Sequence, residues 1–195
     1  MSNYKEHAAM VDQLMKPGKA ILQDLTPIKA ERLHMAVGFM GEVTELASAI
    51  ENLTIYESDE EYDVIMDNLK EELGDCEFYL EGLCQTYGVE RIQPSAIVIE
   101  NSRNDQNLLH LVIAAGNLLD IVKKEVIYNK NIDVSGALFV ATTQLRALYL
   151  QYPEITAEEA RAANITKLLT GDKARFKAGS YSNEAAQLRA DKQQD

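Results

Sequence analysis

Glu42-x-x-Glu45 and Glu72-x-x-Asp75 are the residues of this chain whose types and spacing suit chemistry. Residues three apart share one face of a helix. Each pair therefore presents two carboxylates in one direction, and four that converge between two helices form an all-oxygen set for a hard divalent cation, Mg²⁺ or in its place Mn²⁺. Zinc would normally bring His or Cys. Glu42 carries most of this reading. At 100° per residue, Met35, Leu46, Ala49 and Leu53 lie within about 40° of it on the helical wheel, so its carboxylate points into the apolar stripe. Desolvating an ionised carboxylate is costly unless a cation or hydrogen-bond donors compensate. Glu-x-x-Glu alone is common in a chain with 31 acidic residues, and solvated surface acids are the competing explanation. Purely solubilising charges should gather opposite the core, where Glu51, Lys70, Glu77 and Glu81 are expected.

Other chemistry finds less support. Glu31-x-x-His34 matches one half of a di-iron ligand set, but neither His7 nor His110 follows a Glu by three, so that centre is excluded. His34 lies about two turns before Glu42, on the side where it either lines a pocket next to the acids or serves as a hydrogen-bonded structural histidine. The chain contains no phosphate-cradling glycine loop, EF-hand loop or Gly-x-Ser-x-Gly elbow. Near the C-terminus, Asn164-x-x-Lys167, Lys173, Arg175, Lys177, Gly179 and Tyr181 concentrate cations in a chain short of them. That group is either a solvated helix end complementing the dipole or, with the tail folded back over the acids, a set of phosphate ligands.

The elements that must position these residues are helices. Apolar residues recur at three and four, and strictly alternating β-branched runs are absent. The punctuation predicts a helix from Tyr4 to Met15 ending at Pro17-Gly18, then a short helical stretch. A long helix opens at Thr26-Pro27 and runs to about Leu53, and Ser58-x-x-Glu61 reads as a capping box for the next, which stops near Tyr87-Gly88. Arg91 to Asp105 is broken at Pro94. Further helices are expected from Gln106 to Tyr128, from Val134 to before Pro153, and from the Thr156-x-x-Glu159 box to about Leu169. Beyond Gly171 the chain reads as polar and loosely packed. Gly41-x-x-x-Glu45-Leu46 is echoed by Gly116-x-x-x-Asp120-Ile121, and Tyr87-Gly88 by Tyr152-Pro153. The expected fold is thus all-α, a four-helix core of two antiparallel pairs related by internal duplication, with extra N-terminal helices and a basic C-terminal tail. Residues 1–178 form one domain, with the acid-bearing pair at 28–88, the second pair and the Asn-x-x-Lys helix at 105–169, and a polar tail at 179–195. In the second pair Asn117 stands where Glu42 does, so only the first pair is equipped for metal.

Composition narrows the partners. A net charge of −12 argues against general affinity for nucleic acid or anionic membrane, and 46% hydrophobic residues are enough for one core. No apolar run of bilayer-spanning length and no secretory leader are evident, which points to a cytoplasmic protein. Cys76 and Cys84 are separated by about 12 Å on one helix and are expected as reduced, packed thiols.

Glu42-x-x-Glu45, then Glu71-Glu72-Leu73-Gly74-Asp75 a helix later, then Asn164-x-x-Lys167-Leu168 and Arg175, resembles the MazG-like all-α nucleoside triphosphate pyrophosphohydrolases, a group that includes dimeric dUTPases and dCTP pyrophosphatases. The acidic block spans about residues 28 to 88, and the tail match about 156 to 189. The resemblance implies that Glu42, Glu45, Glu72 and Asp75 bind Mg²⁺, and that Asn164, Lys167, Arg175 and Tyr181 contact the phosphates of a nucleoside triphosphate. Glu42 and Glu45 become the catalytic candidates, with Glu42 as general base and the nucleobase in an apolar slot near His34 and Phe39. Unlike the short members, this chain places roughly seventy residues, including the second helix pair, between the acidic block and Asn164. A fused pseudo-dimer with one composite site per chain follows, and the pattern also allows a homodimer of such chains. The rival expectation is a non-catalytic helical module that binds nucleotide or protein. A third is a relative acting on another pyrophosphate, such as a phosphoribosyl-nucleotide.

Overall fold

The computed structural model describes residues 2–176, 179–189 and 191. It is all-helical: α1 (Ser2–Leu14), α2 (Gly18–Asp24), α3 (Pro27–Asn52), α4 (Asp59–Tyr87), α5 (Ala96–Ser102), α6 (Asn107–Tyr128), α7 (Ser135–Tyr149), α8 (Ala157–Ile165) and α9 (Asn183–Leu188), with one π-helical turn at Thr166–Thr170 running on from α8. Local signals set most boundaries. Thr26 caps α3 by accepting from Lys29 N, with Pro27 in the first turn. The α8 capping box is complete, Glu159 N donating to Thr156 Oγ1 at 3.2 Å and Thr156 N to Glu159 Oε2 at 2.9 Å. The α4 box is only half formed: Ser58 accepts from Glu61 N, but the Glu61 carboxylate reaches one residue further back, to Glu57 N at 2.7 Å. Gly88, at φ 63°, closes α4 in the left-handed conformation. Past the break at Pro94, Ser95 caps the short α5.

Two helical pairs, α3 with α4 and α6 with α7, make the core, and α3 packs along α6. Tyr79 sits against Gly38 and Met35 against Gly82, so α3 and α4 run antiparallel. Phe39, Val43 and Leu46 of α3 meet Leu69, Leu73, Cys76, Leu80 and Leu83 of α4 in an interior completed by Leu111, Leu118 and Val122 of α6 and Leu138, Leu145 and Leu148 of α7. Each such Leu or Phe contributes about 1.5–3 kcal/mol by leaving water. The two free cysteines are buried in this interior. Tyr4, Val11 and Leu14 of α1 remain exposed, so α1 lies outside the core.

The second pair repeats the buried spacing of the first. Leu69, Leu73, Cys76, Glu77, Leu80, Leu83 and Cys84 of α4 match Val134, Leu138, Ala141, Thr142, Leu145, Leu148 and Tyr149 in and just before α7, while buried Glu72 and Gly74 in the first helix and buried Thr143 and Ala147 in the second have no buried counterpart. Between α3 and α6 the match is shorter: Ala36, Phe39 and Val43 correspond to Leu111, Ala114 and Leu118, after which the spacings diverge. Asn117 is exposed and Asp120 pairs on the surface with Lys123 and Lys124, so nothing like the Glu42 environment recurs there. The short third helices cross over. The one that follows α4, α5, packs on α7, and the one that follows α7, α8, packs on α4.

Two sequence expectations need correction. Glu77 is not a solvated charge. Its side chain is 2% exposed and takes Arg91 at 2.8 Å, Arg146 at 3.0 Å and Arg161 at 3.3 Å. Helix α4 is covered by α3 on one side and by α7 and α8 on the other, so the side away from α3 is also interior. Nor is the chain just beyond Gly171 loosely packed: Ala174 is buried, and Arg175 N and Phe176 N donate to the carbonyls of Lys167 and Leu168 at 3.0 and 2.8 Å, whereas residues 179–189, including α9, are mostly exposed, as the sequence suggests. These main-chain bonds anchor a segment too short of apolar residues to reveal its docking.

Candidate metal and phosphate site

Helices α3 and α4 deliver the acids; α8 delivers Asn164, and the π-helical turn after it delivers Lys167. One carboxylate oxygen each from Glu42, Glu45 and Glu72 lies within 4.8 Å of the others. Glu72 is buried, Glu42 partly so, and Glu45 is open to solvent. Asp75, one turn beyond Glu72, is held from the other side: Asn164 Nδ2 donates to Oδ1 and Lys167 Nζ to Oδ2, while the same ammonium lies 3.1 Å from Glu71 Oε1. Gly74 makes this possible. A Cβ there would meet the Ala160 carbonyl oxygen at 2.6 Å and Asn164 Cβ at 3.1 Å, so only glycine lets α8 approach closely enough for Asn164 to reach Asp75. Lys167 lies on the π-helical turn, an irregularity that often marks functional positions.

The acids form one side of a cavity of about 370 Å³ that also includes His34, Phe78, Tyr79, Arg175, Phe176, Tyr181 and Arg189. His34 meets Tyr79 edge-on at 6.0 Å between ring centres, which supports its placement in a pocket beside the acids. Tyr181 packs on Phe176 at 5.6 Å and donates its hydroxyl to Asn183 Oδ1. Arg175 lines the cavity but is held in a two-pronged pair with Asp191, at 2.7 and 2.6 Å. Lys173 lines a neighbouring cavity of about 450 Å³ together with Asn164 and Lys167, Gly179 adopts φ 70°, and Lys177 lies outside the described residues.

The structure thus brings Glu42, Glu45 and Glu72 together, sets Asp75 on the same cavity with its oxygens taken by Asn164 and Lys167, and places His34, Arg175 and Tyr181 on that cavity too. It does not support Phe39 as part of a base slot, because Phe39 is fully buried in the core. The aromatic wall is instead Phe78, Tyr79, Phe176 and Tyr181. Phe78 and Tyr79 lie three and four residues after Asp75, hence on its face of α4, and that spacing is the signal in the sequence that finds them.

Crowded, half-buried carboxylates resist ionising together. The Glu42 carboxyl is pushed up to about 8, first by burial and then by the charges of Asp75, Glu45 and Glu72, against which Lys167 acts only partly. Glu72 is pushed up to about 7, again by burial first, then by Glu45, Asp75 and Glu71. Both groups start near 4.5 in the unfolded chain, so between those values the unfolded state releases protons that the folded state keeps. Folding therefore becomes less favourable as pH rises, and the loss levels off above about 8. Thermal melts in chelator should show wild type losing ground to a Glu42→Gln/Glu72→Gln variant across pH 5 to 8. A gap between the two that does not widen with pH would contradict the crowding.

The donor set is all oxygen and its mutual repulsion is relieved by positive charge, so the residues present fit a hard divalent cation. No helix among the described residues is long and apolar enough to cross a membrane. In comparisons with known proteins, no family model, curated protein or solved structure matches this chain.

Proposed function

We propose that this chain is a Mg²⁺-dependent nucleoside triphosphate pyrophosphohydrolase that cleaves between the α- and β-phosphates to give a nucleoside monophosphate and pyrophosphate. The observation that carries this reading is the convergence of Glu42, Glu45 and Glu72 within 4.8 Å, with Asp75 beside them meeting Asn164 from α8 and Lys167 from the turn that follows it. The resemblance to MazG-like enzymes rests on the same residues.

Glu42, Glu45, Glu72 and Asp75 would hold Mg²⁺, or Mn²⁺ in its place, which when bound supplies Lewis acidity and a water of lowered pKa. Glu42 is the general base: it stands half-buried among the other acids, and a bound cation would hold it ionised and so able to accept a proton. The oxygen of the attacking water bonds to the α-phosphorus as the bond to the bridging oxygen breaks, the water proton passes to Glu42, and pyrophosphate leaves with the bridging oxygen. Glu45, the most open acid, faces the incoming phosphates. Lys167 and Arg175 neutralise charge on the polyphosphate, and the work is mostly positioning and electrostatics. His34, Tyr79 and Tyr181 give the nucleobase apolar faces.

The acids come from the first helix pair and the Asn164–Lys167 element from the helix and turn that follow the second, so on this reading one chain builds one composite site as a fused pseudo-dimer. Pairing of two chains into a homodimer is not required for it. The substrate pool that this reading implies is cytoplasmic. A panel of standard and modified nucleoside triphosphates, assayed with Mg²⁺ and Mn²⁺ for pyrophosphate release, is the test. Turnover of at least one, with monophosphate as co-product, is expected. Silence across the panel removes the enzyme reading, and a melting temperature indifferent to Mg²⁺ would favour a non-catalytic module.

A further inference from the structure

Lys167 does more here than await phosphate. Its ammonium sits between Asp75 Oδ2 and Glu71 Oε1, its side chain is only 11% exposed, and Asn164 occupies the other oxygen of Asp75. Both oxygens of the fourth acid are thus engaged by α8 and the turn that follows it, whereas the other three acids converge without it. The turn carrying Lys167 is also tied to the cavity wall: its carbonyl accepts from Arg175 N and that of Leu168 from Phe176 N, and both Arg175 and Phe176 line the cavity. Position 167 is therefore joined by side chain to the acids and by main chain to the strap across them.

We infer that Lys167 is a built-in counter-cation that competes with a divalent ion for Asp75 and, on losing that contest, is handed over with its strap to the polyphosphate. Glu71 is the positioning residue in this exchange, keeping the ammonium at the rim after Asp75 is given up. The physical reason is charge balance. Five acids, Glu42, Glu45, Glu71, Glu72 and Asp75, border one cavity, and Lys167 lowers the cost of their crowding while no other cation is bound. An arriving divalent ion must break the Lys167–Asp75 pair, so the two binding events oppose each other by a coupling free energy that is the same in either direction. The freed ammonium then meets the anionic substrate, so the exchange links ion binding to closure of residues 166–176 over the site.

This inference rests on the acids being a cation site, and the test separates the two. Calorimetric titration with Mg²⁺ is carried out on the full chain at one pH in buffers of different ionisation enthalpy, so that protons released on binding are counted apart from metal affinity in every variant. Lys167→Met is expected to bind Mg²⁺ about tenfold more tightly than wild type, within the usual range of coupling between sites. Lys167→Arg, which keeps the charge, should stay near wild type, and Glu42→Gln should bind at least about tenfold more weakly. If Lys167→Met binds no more tightly than wild type while Glu42→Gln is weakened, the competition is wrong and the cation site stands. If neither wild type nor Lys167→Met binds, both fall. A second measurement needs no variant: in wild type, saturating Mg²⁺ without nucleotide should speed amide exchange at Arg175 and Phe176 by about fivefold or more as their acceptor turn loosens. Unchanged exchange at these two amides would overturn the handover.

Discussion

Glu42→Gln is expected to lower pyrophosphate release by at least about 10³-fold, the scale associated with loss of a general base, while making the metal-free protein harder to melt above pH 8. The two effects have one origin. Glu42 lies partly buried among Glu45, Glu72 and Asp75, and its ionisation is opposed by burial and by all three. Glutamine keeps the shape and hydrogen-bonding capacity but removes the charge, which relieves about 1–2 kcal/mol of unfavourable crowding after allowance for solvent screening. In a chain of 195 residues that corresponds to a rise in Tm of about 3–6 °C. Mg²⁺ should then stabilise wild type and do little for the variant. Steady-state kinetics and paired melts with chelator or Mg²⁺ check both halves. A variant that keeps a tenth or more of the activity, or that melts lower than wild type in chelator, would remove Glu42 from the chemistry.

The largest stability effect is expected away from the cavity, at Glu77. This carboxylate is the common partner of Arg91, Arg146 and Arg161, drawn from the loop before α5, from α7 and from α8. Glu77→Ala leaves three guanidinium groups facing one another, two of them nearly as buried as Glu77 itself, with side-chain exposures of 8% and 13%. Breaking a buried ionic network by removing its central partner typically costs about 3–5 kcal/mol, a fall in Tm of about 10 °C or more here. Replacing Arg91 and Arg146 by methionine in the same chain should recover part of that loss, because apolar replacement of a whole network is often nearly neutral. Thermal and urea melts of the single and triple variants measure it. A Glu77→Ala protein within about 1 kcal/mol of wild type would mean that the arginines find other partners.

Glu42 and Glu77 also mark how far the sequence could be read. Glu42 was legible because α3 has one apolar stripe with the acid inside it, and a helical wheel detects that arrangement. Glu77 was not, because α4 is interior on two sides and a single-stripe reading assigns the second side to solvent. Its partners are 14, 69 and 84 residues away, beyond any local pattern. The helix limits followed from caps and breakers at Thr26-Pro27, Gly88 and Thr156, whereas α5 had only Ser95 behind a proline to announce it. Phe39 was misassigned for a related reason. It shares the general direction of Glu42 on α3 but points deeper, into the contact with α4, while Phe78 and Tyr79, spaced from Asp75 as helical neighbours, reach the cavity. The four acids were identifiable by type and spacing, but the tail is joined to the turn after α8 by main-chain hydrogen bonds from Arg175 N and Phe176 N, which no residue type encodes.

The crossing of the third helices sets an order of events during synthesis. Asp75 meets its partners only from residues 164 and 167, about ninety positions downstream, so a ribosome-bound chain holding the first hairpin exposes its acids with nothing from α8 against them. The face of α4 that carries Glu77 likewise waits for α7 and α8, and α5 is made before α7, the helix on which it packs. Neither hairpin is therefore a self-sufficient folding unit. Chain truncated near Asn129 would leave a hairpin with a bare flank, prone to capture by chaperones or to aggregation, and the acid cleft is assembled only as the last third of the polypeptide docks.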